Sequence, residues 1–298
     1  MPVAKNPTFV SSEKSTNVRF LTSAPSVLRS SFANASRLAP GLTSAVAAHM
    51  FRSTRRSKPK PGERDVLQGA TCSRLAGMQL WSWGEGPTVL LVHGWNGRAT
   101  QLGRFVKPLV ARGYRVVAFD SLGHGDSDGN VSSLPELANC IRQVVDELGG
   151  VYGIVAHSLG GAATTFALAY GMQAERLVFV SPPADPREFL KIFGSALGIN
   201  DEVRARVKRR VERRLGVPME EMQVLALAPS MRLPLLVIHA EQDKEVPVDV
   251  GRSIAAAWPG AELIVTEGLG HQRILRDEEV GNSAVSFIDA VAHREQAA

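Results

Sequence analysis

The chain has 298 residues, of which 44% are hydrophobic, and its 34 lysines and arginines exceed its 29 acidic residues. No apolar run reaches the roughly 18 residues that a membrane-spanning helix needs. A chain of this length can bury a large core as one domain or as two. Its two cysteines, Cys72 and Cys140, are too few for a disulfide framework and favour a reducing compartment, so we expect a cytoplasmic protein.

The positive charge belongs to the N-terminal segment. Residues 1–60 hold ten lysines and arginines against one acidic residue, Glu13, whereas the remainder holds 24 against 28. The body of the protein is therefore slightly acidic. The net charge of +5 does not indicate nucleic-acid binding, and no nucleic-acid partner is expected.

Residues 1–62 form a predicted basic N-terminal extension. Residues 1–24 are rich in Ser, Thr and Lys without periodicity, which predicts disorder or loose attachment. An amphipathic pattern over residues 26–51, broken at Pro40-Gly41, predicts two short helices, and a basic linker with prolines follows. Three interpretations stay open: the extension docks on the body or edges its entrance, it makes a peripheral contact with an anionic membrane, or it is an organelle transit peptide.

Beyond residue 62, strands and helices alternate along the chain. Helical patterns cover residues 100–111, 133–148 and 159–170. Apolar runs predict strands at residues 78–83, 88–92, 115–120, 153–156, 176–181, 233–238 and 261–265. This alternation with short connections predicts an α/β fold with a mostly parallel twisted sheet and helices on both of its faces.

The alternation is interrupted between Pro182 and Arg232. That stretch has helical patterns and no convincing strand, which predicts a small helical cap inserted into the fold. We therefore divide the chain into the extension at 1–62, an α/β core at 63–184 and 233–298, and a helical cap at 185–232.

The predicted cap contains candidates for substrate binding. Phe189 and Phe193 lie in an apolar pattern that predicts either an acyl pocket or ordinary packing of the cap. Residues 201–215 combine many basic side chains with valines spaced four residues apart, which favours a solvated helix docked through the valine stripe. The alternative is a basic face that recruits an anionic substrate or membrane.

The sequence Ile154-Val-Ala-His-Ser158-Leu-Gly160-Gly places a serine between a strand pattern and a helical pattern. A strand, a tight turn and a helix of this kind form a nucleophile elbow, in which the serine takes a strained backbone conformation. The residues two before and two after the serine must then be small, and they are Ala156 and Gly160. The helix N-terminus beneath Ser158 also favours developing negative charge.

A serine nucleophile needs a base that takes its proton and an acid that orients the base. In an open parallel sheet, these partners follow the carboxyl ends of later strands. Asp243 follows the first strand after the cap, and His271 follows the last strand after a Gly-x-Gly bend. The order Ser158, Asp243, His271 distinguishes this arrangement from other serine-triad folds. Asp185 is a weaker alternative acid.

Two backbone N–H groups are expected to form an oxyanion hole. One belongs to Leu159, directly after the nucleophile, and the other to Trp95, in a loop where Gly94 permits the turn. His93 and His157 flank the chemistry, and we favour a structural role as hydrogen-bond partners of neighbouring loops over direct proton transfer.

No metal or organic cofactor is predicted. His124 lies beside Asp126 and Asp128, which raises a metal site as an alternative, but no further ligands cluster there. We therefore favour a shaped loop, with Asp120 fixing its geometry rather than taking part in catalysis.

Five motifs occur in order along the chain. They are His93-Gly-Trp95, Asp120-Ser-Leu-Gly-His-Gly-Asp-Ser127, His157-Ser-Leu-Gly-Gly161, Asp243-Lys-Glu-Val-Pro247 and Gly270-His271. In these motifs the chain resembles α/β-hydrolase-fold enzymes with a small helical cap, of the carboxylesterase and monoacylglycerol-lipase type.

The resemblance covers about residues 78–290 and implies hydrolysis of a small-molecule ester through an acyl-enzyme. Ser158 would be the nucleophile, His271 the base and then the acid, and Asp243 the orienting group. Thioester or amide hydrolysis by the same triad, and a non-catalytic binding role, are the alternatives.

One position departs from the pattern of the resemblance. Ala156 stands where many members have glycine, and alanine is small enough for the elbow. The sequence specifies neither the acyl and alcohol groups of the substrate nor the oligomeric state.

Overall fold

A single eight-stranded sheet forms the centre of the protein in the computed structural model, which describes residues 25–290. The disorder predicted for residues 1–24 lies outside the described residues. The sheet order is β1-β2-β4-β3-β5-β6-β7-β8; β2 is antiparallel to both its neighbours, and the other pairs are parallel. The predicted α/β fold with a mostly parallel sheet is confirmed. The strands are β1 (Thr71–Leu75), β2 (Met78–Trp83), β3 (Thr88–Val92), β4 (Arg115–Asp120), β5 (Gly153–His157), β6 (Arg176–Val180), β7 (Leu235–Ala240) and β8 (Glu262–Thr266).

Helices cover both faces of the sheet and fill the stretch between β6 and β7. Within residues 25–290, no helix is both long and apolar enough to cross a bilayer. The apolar pattern does not reveal β1, because four of its five residues are exposed at the sheet edge. The helices are α1 (Ser26–Leu38), α2 (Pro40–Arg52), α3 (Gly103–Ala111), α4 (Leu134–Glu147), α5 (Leu159–Ala169), α6 (Pro186–Leu197), α7 (Asp201–Leu215), α8 (Val224–Leu227), α9 (Val248–Ala257) and α10 (Glu278–Asp289).

The strand β3 shows why the central strands are continuously apolar. Leu90 and Val92 pack into the core on one face of the sheet, whereas Val89 and Leu91 pack into the core on the other face. All four side chains are fully buried. A strand covered by helices on both faces has no solvent-facing side, so its residues do not alternate between apolar and polar. The carboxyl ends of these parallel strands consequently meet at one edge of the sheet, where ligands bind in open α/β folds.

The N-terminal helices pack on the cap. The predicted valine stripe of α7 is buried, and with Ala47 of α2 it belongs to one apolar cluster that also contains Phe193 of α6. The ring of Phe51 in α2 meets that of Phe193 edge-on, with centroids 5.3 Å apart. The stripe therefore docks as predicted, but its partner is the extension, which shares a separate small core with the cap.

The basic linker after α2 is fastened to the α/β core. The hydroxyl of Thr54 donates to the Gly123 carbonyl at 2.6 Å, and the N–H of Arg55 donates to Oδ1 of Asn96 at 2.7 Å. The Arg52 side chain is buried in an ion pair with Glu136 of α4, at 2.5 Å. Of the three interpretations of the extension, the structure supports docking for residues 25–57.

Ala47 offers a test of this docking. It is fully buried at the contact between α2 and α7, whereas its neighbour Val46 is 45% exposed. We expect Ala47→Asp to lower the free energy of unfolding by about 3 kcal/mol or to release the extension, because it buries an unpaired charge. The matched variant Val46→Asp places the same aspartate at the exposed neighbouring position of α2, and it is expected to change the free energy of unfolding by under about 1 kcal/mol. Urea unfolding with limited proteolysis measures both, and equal effects would contradict the docking.

Candidate active site

Ser158 lies in the turn between β5 and α5. Its backbone has φ 50° and ψ −126°, a conformation that is strained for a residue with a Cβ. The Ser158 N–H donates to the Val180 carbonyl at 2.9 Å, which holds the turn against the end of β6. A Cβ on Gly160 would lie 2.8 Å from the His93 carbonyl oxygen and 2.9 Å from that of Val92. Only glycine therefore allows α5 to approach β3 this closely.

The structure brings Ser158, Asp243 and His271 together as a hydrogen-bonded chain. Nε2 of His271 is 2.9 Å from Oγ of Ser158, and Nδ1 of His271 is 2.7 Å from Oδ2 of Asp243. The three residues follow β5, β7 and β8, and each is less than one-tenth exposed. The histidine can therefore accept the serine proton on one nitrogen while the carboxylate fixes the proton on the other.

The second oxygen of Asp243 is also satisfied. Its Oδ1 accepts the N–H groups of Glu245 and Val246 at 2.8 and 2.9 Å. Burial alone would raise the pKa of Asp243, but the hydrogen bond and charge of His271, together with these N–H groups, lower it below the usual value. The alternative acid Asp185 instead caps α6 and pairs with Arg187 at 2.6 Å, away from the triad.

A tight loop after β3 lies against Ser158. A Cβ on Gly94 would be 2.9 Å from Cβ of Ser158, so the loop passes directly over the serine. The Gly97 N–H donates to the Gly94 carbonyl at 3.0 Å, which closes a turn with Trp95 and Asn96 at its centre. Leu159 is the first residue of α5, where backbone N–H groups have no acceptor within the helix. The oxyanion roles of the Trp95 and Leu159 N–H groups stay predictions.

Comparison with known proteins identifies the family. A model of the alpha/beta hydrolase family matches residues 89–280, which is more than half of the chain. The chain belongs to the alpha/beta hydrolase family. It is 28% identical over 253 residues to a 2-hydroxy-6-oxononadienedioate/2-hydroxy-6-oxononatrienedioate hydrolase of Paraburkholderia xenovorans, covering 69% of this chain and 87% of that protein.

Two further proteins show how varied its relatives are. The chain is 27% identical over 260 residues to a non-heme chloroperoxidase of Kitasatospora aureofaciens, covering 67% of this chain and 91% of that protein. An esterase from Exiguobacterium antarcticum superposes with a TM-score of 0.56 at 18% identity, covering 71% of this chain and 95% of that chain. The latter likeness shows the alpha/beta hydrolase fold.

Two buried histidines donate hydrogen bonds to backbone carbonyls in the loops of the site. Nε2–H of His157 donates to the backbone carbonyl of His271 at 2.9 Å, and Nδ1–H of His93 donates to the Gly94 carbonyl at 2.7 Å. Burial lowers the pKa of His93 to about 4 and that of His157 to about 3, so both stay neutral. Their placement matches the predicted structural role, since each holds a loop that carries a site residue.

The glycine-rich loop after β4 is organised by Asp120. Its carboxylate accepts the N–H groups of Ala99 and Asp126, both at 2.7 Å. Nδ1 of His124 lies 3.0 Å from the hydroxyl of Ser121, and burial lowers the pKa of His124 to about 3. Within residues 25–290, no group of His, Cys, Asp and Glu side chains has the arrangement of a metal site.

The two cap phenylalanines differ in burial. Phe193 is 5% exposed within the apolar cluster between α2, α6 and α7, so for this residue the structure shows cap packing. Phe189, on the same helix, is partly exposed. A substrate contact of either ring stays a prediction.

The sequence pattern does not single out Glu245, which lies beside the triad. Its Oε2 is 3.9 Å from Nε2 of His271, the nitrogen that also faces Ser158. Burial raises the pKa of Glu245, the charge of His271 opposes this shift, and that of Asp243 adds to it. The signal in the sequence that could have identified Glu245 is its position two residues after Asp243, in the same turn.

The buried neutral histidines predict acid sensitivity. His93, His124 and His157 stay unprotonated in the fold but bind a proton in the unfolded chain below pH about 6.5. Their stability contribution is therefore complete above that pH and is lost progressively as the pH falls toward their folded pKa values. At pH 5, each of the three histidines lowers the free energy of unfolding by about 2 kcal/mol. The raised pKa values of Asp120 and Glu245 act in the opposite direction.

Urea unfolding at pH 7 and pH 5 checks this expectation. We expect the free energy of unfolding to be lower at pH 5, by up to about 6 kcal/mol from the three histidines together, less the opposing contribution of Asp120 and Glu245. His157→Gln should flatten this dependence, whereas the same replacement of the exposed His49 should leave it unchanged. A stability that is constant across this range would contradict the neutral, buried state of the three histidines.

Proposed function

We propose that this member of the alpha/beta hydrolase family is a serine hydrolase that cleaves carboxylic esters through an acyl-enzyme intermediate. The observation that carries the proposal is the continuous hydrogen-bonded chain from Asp243 through His271 to Ser158, with the serine on a strained elbow. A buried aspartate, a histidine and a serine at these distances form an acyl-transfer triad. No metal or organic cofactor has a role in this scheme.

Acylation begins at Oγ of Ser158. As Oγ attacks the ester carbonyl carbon, His271 accepts the serine proton on Nε2, and the carboxylate of Asp243 stabilises the resulting imidazolium. The tetrahedral intermediate then collapses, and His271 gives this proton to the departing alkoxide oxygen. The alcohol leaves, and the acyl group remains on Ser158.

The negative charge of the intermediate falls on the former carbonyl oxygen. We assign its stabilisation to the backbone N–H groups of Leu159 and Trp95, because one begins α5 and the other lies in the loop over the serine. Each such donor is worth about 3 kcal/mol of transition-state stabilisation. Deacylation repeats the sequence with water as the nucleophile and His271 as its base, which releases the acid and restores the serine.

The same triad serves other acyl transfers. Thioester and amide hydrolysis need only a different leaving group, and the hydrolase of Paraburkholderia xenovorans is named for a ketone substrate with two carboxylates. A doubly anionic substrate would face the carboxylate of Glu245 beside His271, which disfavours it here. Ester cleavage is therefore the activity to test first.

Turnover of nitrophenyl esters from acetate to dodecanoate tests the proposal. We expect hydrolysis that peaks at one acyl length, with the thioester and the anilide of that acyl group turned over more slowly. A folded protein that cleaves only the thioester or the anilide would favour those alternatives. A folded protein that turns over none of these substrates would contradict the proposal and favour a binding role.

A further inference from the structure

Glu245 is an unusual neighbour for the triad histidine. Its side chain is 21% exposed, and its Oε2 lies 3.9 Å from Nε2 of His271. That nitrogen is also 2.9 Å from Oγ of Ser158, so the carboxylate stands on the reacting side of the imidazole. Asp243 already holds the other nitrogen, Nδ1, so Glu245 is not needed to orient the ring.

The carboxylate of Glu245 has no hydrogen-bond partner among residues 25–290, and no lysine or arginine of that part pairs with it. Its one ion-pair partner there is His271. A largely buried carboxylate without donors is costly, and such costs concentrate at functional sites. The group is therefore free to accept a donor from a bound molecule.

The backbone holds Glu245 in place. Its N–H donates to Oδ1 of Asp243 at 2.8 Å, and the next carbonyl, that of Val246, accepts Nε2–H of His239 at 2.9 Å. The residue is thus fastened to the triad acid itself. The backbone of Glu245 therefore loses little entropy when the side chain binds a ligand.

The reaction fixes which part of the substrate meets this carboxylate. The leaving oxygen takes its proton from Nε2 of His271, so it must lie about 3 Å from that nitrogen. It then lies within about 7 Å of Oε2 of Glu245, a span that a two-carbon arm and one hydrogen bond cover. The first atoms of the alcohol therefore lie within reach of Glu245, whereas the acyl group is attached to Ser158.

We propose that Glu245 forms the leaving-group subsite and selects esters whose alcohol carries an ammonium group two carbons from the ester oxygen. The inference rests on the proposed ester hydrolysis and adds the class of alcohol. The ammonium N–H donates to the carboxylate and neutralises it. A carboxylate at the same place on the alcohol is repelled by Glu245 and Asp243 together.

Matched esters of the best acyl group test this subsite. The 2-(dimethylamino)ethyl ester is protonated at pH 7, and the 3-methylbutyl ester is its neutral isostere. We expect kcat/KM of the wild type to be about tenfold or more higher for the amine ester than for its neutral isostere. A hydrogen bond between charged groups stabilises binding by that factor. Glu245→Gln should bring this ratio close to one. Glu241→Gln, at an exposed carboxylate on the same loop that pairs with Arg252, should leave the ratio unchanged.

The outcomes separate the subsite from the proposed function. An unchanged ratio in Glu245→Gln, with esters still hydrolysed, would overturn the subsite alone. A uniform fall in kcat/KM for both esters would also overturn it, because Glu245 would then act through His271. If a folded wild type hydrolyses no ester at all, both the proposed function and the subsite fail. A choline ester separates charge from hydrogen bonding: it should be preferred less than the amine ester, and equal preference would overturn the N–H contact.

Discussion

Replacing Ser158 by alanine is expected to lower kcat for ester hydrolysis by at least about 10⁴-fold, because removal of the nucleophile of such a triad eliminates covalent catalysis. The residual rate would come from binding and from the oxyanion hole. The fold should persist, since the substitution removes one oxygen and leaves the turn hydrogen bond from the Ser158 N–H to Val180 intact. Steady-state kinetics, with circular dichroism to verify folding, measures both effects.

The chain provides a matched control in Ser181. This residue directly follows the neighbouring strand β6, is fully buried and has the same φ of 50° as Ser158. Its hydroxyl has no hydrogen-bond partner within the described residues, so Ser181→Ala should keep kcat within about threefold. Comparable losses in the two variants would show that removing any buried serine hydroxyl at this edge of the sheet, and not the loss of the Ser158 nucleophile, explains the effect.

Asp243→Asn is expected to lower kcat by about 10³- to 10⁴-fold, on the scale known for the same change in serine-protease triads. Asparagine can keep one oxygen for the N–H groups of Glu245 and Val246, which places its NH₂ against Nδ1 of His271. His271 must then carry its proton on Nε2, where it cannot accept the proton of Ser158. The geometry is preserved while the tautomer is wrong.

Asp185→Asn separates the two candidate acids. Asparagine can still cap α6, so the variant removes mainly the ion pair with Arg187, which should cost at most about 1 kcal/mol of stability and little activity. Kinetics of both variants at pH 7 measure the difference. A greater loss of activity in Asp185→Asn than in Asp243→Asn would contradict the assignment of the acid.

Local sequence patterns predict those features of the fold that depend on residues close together in the chain. The run Thr88–Val92 is apolar throughout because helices cover both faces of β3, and Ala156 and Gly160 flank Ser158 because the elbow excludes larger side chains. Such constraints act within a few residues of the chain. The order of Ser158, Asp243 and His271 also follows from the strand order, since each residue comes after a parallel strand.

Local sequence patterns do not predict contacts between distant segments of the chain. The amphipathic patterns of α2 and α7 are each visible, but neither specifies that Ala47 and Val207 would belong to one small core. Phe193 illustrates the same difficulty, because an apolar residue of the cap suits a pocket and a core equally well. Glu245 is a third example: its distance from His271 depends on how two loops meet at the carboxyl edge of the sheet.

The central claim is that Ser158 is an activated nucleophile, and labelling with a fluorophosphonate tests it most directly. A fluorophosphonate reacts with a serine whose hydroxyl is activated by a neighbouring base, and peptide mass spectrometry then locates the adduct. We predict a single adduct on Ser158 in the wild type, and none at that position in His271→Ala, which lacks the base 2.9 Å away. A folded wild type that remains unlabelled, or that carries the label on another serine, would contradict the account.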